Sequence, residues 1–326
     1  MPYVSADQRT GPDVEVLLRR RLERWLQAPG RALPAVERVF VVTGWPGCGK
    51  SRFLRQVAEW SEAQRGSWFR LGRRPLRNVV VYLDLEARFE ARTSEAFIRQ
   101  MQDTIAEKRS RKSDALSLCV DHVPPTADDE DLDVVERHLL LPLLRERVFF
   151  VFAQQDPRRW ALGGKMAHPS PWPLESFSRE GLEQMLAHYP EERVGEALQH
   201  AVGHPLLALW ICEAGVEEGM RRFLAYWIER RGMEGNQEDI LRYAYPLAGT
   251  SPENEGQGRE ILEVVDIPGD EWHRASLLLQ KVGWWEPFRR REDGRYEAHQ
   301  VWVPPVRHCL QHLCEHNPQY RLLIRR

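Results

Sequence analysis

Apolar and polar positions along the chain switch between two repeats. Residues 14–27, VEVLLRRRLERWLQ, set Val16, Leu17, Leu22 and Trp25 at near-helical spacing among arginines. That predicts a basic amphipathic helix, stopped by Pro29-Gly30. VERVFVVTG at 36–44 is a short β-branched run bounded by glycine, as in a strand buried on both faces of a parallel sheet. Helical spacing returns at 51–63, where Phe53, Leu54, Val57 and Trp60 recur. Further strands are predicted at 78–86, 115–122 and 147–153, with a short fifth at 172–178. Helices fall between them at 94–107, with Phe97, Met101 and Ile105 on one side, and at 128–144. The acids 128–131 follow Thr126, a helix cap, and complement the positive end of the helix dipole. Strand and helix alternating in this way predict an α/β domain, a parallel sheet with helices on both faces.

Beyond residue 178 the pattern changes. Residues 179–233 are almost entirely helical in spacing, broken at Tyr189-Pro190 and Gly203-His204-Pro205. In 234–326, helices at 237–248, 274–282 and 306–314 surround FRRREDGRYEAHQVWV, where Asp293-Gly294 supplies a hairpin turn. Helices followed by a two-stranded wing suggest a winged-helix module. The expected domains are therefore 1–178, 179–233 and 234–326.

Composition narrows the class. The 326 residues are 42% hydrophobic and 29% charged, which excludes a disordered chain, a coiled coil and a collagen-like repeat. With 46 Lys/Arg against 48 Asp/Glu, bulk charge nominates neither nucleic acid nor a membrane surface as partner. The longest apolar runs, such as 206–212, fall far short of the roughly 20 residues of a membrane-spanning helix. No signal peptide opens the chain, and five scattered cysteines form no disulfide framework. A soluble, cytoplasmic protein is expected.

The chemistry is concentrated at GWPGCGKS, residues 44–51, which matches G-x-x-x-x-G-K-[ST] between a strand and a helix. Glycines allow backbone N–H groups to turn inward around a β-phosphate, and the helix that follows adds its positive end. Lys50 would neutralise the β- and γ-phosphates, and Ser51 would offer its hydroxyl to Mg²⁺. The expected nucleotide contacts are Gly44, Trp45, Pro46, Gly47, Cys48, Gly49, Lys50, Ser51 and Arg52. ATP or ADP with Mg²⁺ is the expected cofactor. An acid must complete the metal shell. Asp84 and Asp121 both end apolar strands, and Asp121 is preferred, because a strand inserted beside the loop strand would bring it near. The residue after Asp121 is His122, where many hydrolysing relatives carry a carboxylate that polarises water. Histidine can serve as a base near neutral pH, so Asp121 and His122 are the candidate catalytic pair, with Glu86 or Asp84 as substitutes.

In this order the residues resemble the STAND class of P-loop NTPases, cousins of the AAA+ and NB-ARC ATPases. The loop with SLCVDH carries the resemblance, together with FVFAQQDPRRW at 150–160 and GHPLLALW at 203–210. The resemblance implies an AAA+-like P-loop core, a helical lid at 179–233, and a winged-helix domain at 234–326. It further implies that Pro205 packs on the adenine side of the nucleotide. The strand-end arginine of bacterial members reads Gln155 here, so its phosphate contact is lost or passed to Arg158 or Arg159. The winged-helix histidine set against ADP reads Val303. Together with His122 these departures imply a slow, nucleotide-dependent signalling switch. Its partners would be a second copy or an effector or sensor protein in trans.

Two other features carry less. Residues 271–326 hold ten Lys/Arg against six Asp/Glu, including Arg289-Arg290-Arg291 on the wing. A basic wing is suited to a phosphate backbone and supports the alternative, a DNA-associated ATPase. His308, His312 and His316 recur every four residues, but no further ligand at standard spacing completes a metal site. They read as a partly packed helix face.

Overall fold

The computed structural model describes residues 14–27, 37–63, 78–86, 93–109, 115–123, 130–144, 146, 148–155, 172–174, 176–250, 252, 255–286 and 301–316. The chain divides between residues 175 and 176 into two compact units.

The first unit is a five-stranded sheet in the order β2-β3-β4-β1-β5, with every pairing parallel. Its strands are β1 (Val39–Thr43), β2 (Asn78–Asp84), β3 (Ala115–Val123), β4 (Val148–Gln154) and the two-residue β5 (Trp172–Pro173). Nearly every strand position is buried, as a sheet covered on both faces requires. The alternation of side chains separates two cores. Val39 and Val41 face one and Phe40 and Val42 the other. On the first face lie α3 (Ser94–Lys108) and a helix in three contiguous pieces. These are α4 (Glu130–Val135), the π-helical Glu136–Leu140 and α5 (Leu141–Leu144). On the second face lie α1 (Val14–Gln27) and α2 (Lys50–Ala63).

Two sequence expectations are corrected here. α1 buries Val14, Leu18, Leu22, Trp25 and Leu26, whereas Val16 is exposed and Leu17 only partly covered. The i, i+4, i+8 row from Val14 sets the face, and Trp25 meets the Phe149 ring at 5.5 Å. The fifth strand pairs over two residues, not seven. Trp172 stacks on Phe40 at 5.9 Å, and the Arg21 guanidinium lies over both rings. Thr126 and Asp128 lie outside the described residues.

The second unit is mostly helical. It runs through α6 (Arg179–Leu186), α7 (Glu191–His200), α8 (Pro205–Ala214), α9 (Val216–Arg230), α10 (Gln237–Thr250), α11 (Glu255–Val264), α12 (Trp272–Lys281) and α13 (Pro304–His316). The sequence breaks have physical causes. His204 caps α8 by accepting the Leu207 N–H, Pro205 occupies the first turn where its missing N–H costs nothing, and Gly203 turns at φ 74. β6 (Trp285–Glu286) and β7 (Val301–Trp302) pair antiparallel, with the Trp285 and Trp302 rings edge to face at 5.3 Å. Trp227, Trp284 and Trp285 are fully buried core residues, and Trp227 Nε1–H donates to the Val282 carbonyl at 3.0 Å. Residues 287–300, with the expected Asp293-Gly294 turn and Arg289–Arg291, lie outside the described residues. Among the described residues no helix is long and apolar enough to cross a membrane.

Candidate functional site

The phosphate loop leaves the carboxyl end of β1 and enters α2 at Lys50. Gly47 and Gly49 take φ values of 77° and 96°, left-handed conformations that side chains resist, and these reversals wind the loop. The Cys48 N–H closes a turn on the Trp45 carbonyl at 3.2 Å, and Phe53 N–H begins the helix ladder from Gly49 O at 2.9 Å. Cys48 is buried beneath the loop and belongs to the core of that face. The Lys50 ammonium donates to the carbonyls of Gly44 at 2.7 Å and Trp45 at 2.9 Å. It is thus folded back over the loop mouth. Ser51 and Arg52 occupy the first turn of α2, both partly exposed.

Across from α2, β3 brings Asp121 and His122. β4 lies between β1 and β3, which places the end of β3 one strand removed from the loop strand. A register shift between Val120 and Val123 interrupts the β3–β4 ladder, and His122 sits in it at φ 52. The irregularity aims the imidazole toward the loop. Its Nε2 lies 3.4 Å from Ser51 Oγ, and its Nδ1 lies 2.7 Å from Asp84 Oδ1 and 3.8 Å from Glu86 Oε2. Asp84 is the register partner of Asp121 on the neighbouring β2. With Asp84 accepting from Nδ1–H, the tautomer assigned by this network leaves Nε2 to accept from the Ser51 hydroxyl.

Asp121 is almost wholly buried, at 1% exposure. Its Oδ1 accepts the His122 backbone N–H at 2.9 Å and its Oδ2 accepts the Tyr82 hydroxyl in a short contact. Burial and the adjoining carboxylate push the Tyr82 phenol well above its ordinary range, so it stays a donor. The same two causes push the Cys119 thiol up to about 12. Tyr82 is the residue that sequence reasoning missed; its one signal was a polar-tipped side chain two positions before Asp84 in an apolar strand. Asp84 was weighed as an acid but not as the partner that orients His122.

The structure therefore brings together Lys50, Ser51, Asp121 and His122, with Asp84 and Glu86 joining them. Ligand atoms of Asp84, Glu86 and His122 lie within 4.8 Å of one another. Hydroxyl and carboxylate oxygens are the hard donors that Mg²⁺ prefers, and the glycine-wound loop beside Lys50 suits a polyphosphate, so the donor set fits Mg²⁺-nucleotide. At the end of β4, where Gln154 is paired with both Thr43 and Val123, the next residue is Gln155. Its Oε1 is buried and has no hydrogen-bond partner among the described residues. Arg158 and Arg159 lie outside the described residues. Pro205 belongs to the other unit, at the start of α8.

No protein-family model and no curated protein matches the chain. Among solved structures it is similar to Cdc6p from Pyrobaculum aerophilum, at 13% identity, covering 95% of each chain, with a TM-score of 0.45. It is similar to the Thermotoga maritima RuvB Holliday junction branch migration motor at 13% identity, covering 93% of this chain and 95% of that one, with a TM-score of 0.39. AMPPCP-bound DnaA from Aquifex aeolicus follows at 12% identity, 86% and 92% coverage and a TM-score of 0.39. The chain's own geometry, a parallel sheet with an inserted strand and a phosphate loop after β1, is that of the AAA+-like P-loop fold.

Proposed function

We infer that the chain is an ATP-binding P-loop NTPase of the STAND type that works as a slow, nucleotide-dependent switch. The observation that supports this most directly is the pairing of the loop's Ser51 with an Asp84-held imidazole, where a fast hydrolase carries a carboxylate. Lys50, released from the Gly44 and Trp45 carbonyls, would neutralise the β- and γ-phosphates. The loop N–H groups from Gly47 to Ser51 would hold the phosphate oxygens. Ser51 and Asp121, with Asp84 and Glu86 close by, are the groups proposed to hold Mg²⁺ and its water shell. When bound, Mg²⁺ supplies charge neutralisation at the β- and γ-phosphate oxygens. His122 would take a proton at Nε2, and Asp84 would stabilise the imidazolium through Nδ1–H. Gln155 contributes an amide at the strand end in place of a guanidinium, which weakens the γ-phosphate contact.

Slow turnover lets the nucleotide state persist long enough to be read, either by a second copy or by an effector or sensor protein. The test is ATP·Mg²⁺ binding to Lys50→Ala by calorimetry. Loss of about 100-fold or more in affinity, roughly the 3 kcal/mol of a charged contact left unmade, is expected with the fold retained. Unchanged affinity would sink the assignment. Salt-dependent duplex DNA binding by the same protein would instead favour the DNA-associated ATPase.

A further inference from the structure

The second unit carries a cluster of imidazoles that the phosphate-loop chemistry does not use. His308 and His312 stand one turn apart on α13, and His200, the last residue of α7, faces them from 108 residues away in sequence. His200 Nδ1 lies 3.4 Å from His308 Nε2. The ring centroids form a closed triangle, with His200–His308 at 5.6 Å, His200–His312 at 4.9 Å and His308–His312 at 6.4 Å. Two imidazoles on one tetrahedral ion, with metal–nitrogen bonds of about 2.1 Å, place their ring centroids roughly 5 Å apart. One nitrogen pair, His200 Nδ1 and His308 Nε2, is already close, but the nitrogens of all three do not lie within 4.8 Å of one another, so three-fold ligation requires at least one ring to turn toward the others.

We propose that His200, His308 and His312 bind one late first-row divalent ion, of the Zn²⁺ type, leaving a fourth position open. The third ligand missing from the α13 sequence pattern is supplied by α7. All three rings are only partly exposed, and burial is the first cause holding each below the ordinary histidine range. Neutral imidazole is the form that coordinates. Imidazole nitrogen selects Zn²⁺, Co²⁺, Ni²⁺ or Cu²⁺ over Mg²⁺ and Ca²⁺, so this site would not compete for the ion of the phosphate loop. His316 is exposed and stacks on His312 at 4.2 Å and 27°, while its Nδ1–H donates to the His312 carbonyl at 2.8 Å. A ring so nearly parallel to its neighbour does not point at the same ion, so it is left outside the ligand set. The Glu196 and Glu315 carboxylates flank the cluster and favour a cation there. An ion here would clamp the end of α7 to α13 and stabilise the unit whether or not nucleotide is bound.

The test uses the full chain, stripped with chelator and free of nucleotide. Zn²⁺ is titrated by calorimetry, and Co²⁺ is titrated in parallel for its visible bands. The expected result is one ion per chain, with tetrahedral Co²⁺ absorption. His200→Gln and His312→Gln should each weaken Zn²⁺ at least about tenfold, the lower bound known for losing even an outer partner. His122→Gln should leave binding unchanged. Should one of the first two variants fail to fold, as read by circular dichroism in chelator, His308→Gln replaces it. Absence of stoichiometric uptake by the wild-type chain would overturn the proposal. So would uptake that survives His200→Gln, or uptake lost in His122→Gln.

Discussion

At the end of β3 the backbone of His122 turns to φ 52, a conformation that costs a non-glycine residue on the order of 1–3 kcal/mol. The cost is met locally, because Asp121 Oδ1 accepts the His122 N–H and Asp84 Oδ1 accepts from its ring. What results is an imidazole held by Asp84 and facing Ser51. Asp84→Asn presents an amide in place of the acceptor and removes the charge that stabilises the imidazolium. Single-turnover ATP hydrolysis is expected to slow by about 10²-fold, the lower end of the range for a general base, with ATP affinity nearly unchanged. An unaltered rate would remove His122 from the chemistry. Asp121, with both oxygens accepting hydrogen bonds and 1% exposure, holds this corner of the sheet.

Among the elements, α1 shows how a helical face is decided. Leu22 is fully buried against the sheet while Val16 is 36% exposed on the same helix. Leu22→Ala is expected to cost about 2–5 kcal/mol and Val16→Ala within about 0.5 kcal/mol, read as shifts in denaturant midpoint at constant slope. Equal effects would mean that α1 does not pack as described. The sequence pattern made the helix itself legible but assigned Val16 and Leu17 to its face, since VEVLL offers several apolar residues in a row and only tertiary contact chooses among them. Strands were more legible, because β-branched runs such as VFVVT and NVVVYLD admit few other readings. The loop was legible because its glycines, lysine and serine lie within eight consecutive residues. The Asp84–His122 contact was not, because it depends on the register of β2 against β3, with Asp84 opposite Asp121. For the same reason the His200–His308 approach was hidden, arising from two helices whose packing no local spacing records.

At the scale of the whole molecule the chain consists of an α/β unit that carries the phosphate-loop motif and a largely helical unit. A switch requires that ATP and ADP bind two conformations with different affinities; a ligand that binds both equally shifts nothing. In the proposed switch the γ-phosphate would make that difference at the loop, through Lys50, Ser51 and His122. The decisive measurement is hydrogen–deuterium exchange on the full chain, with ATP·Mg²⁺ against ADP·Mg²⁺. Different protection is expected both around residues 44–52 and in peptides of 176–316, persisting over minutes under the slow hydrolysis proposed above. Differences confined to the phosphate loop, or none at all, would contradict a switch and leave a nucleotide that serves only to hold the fold.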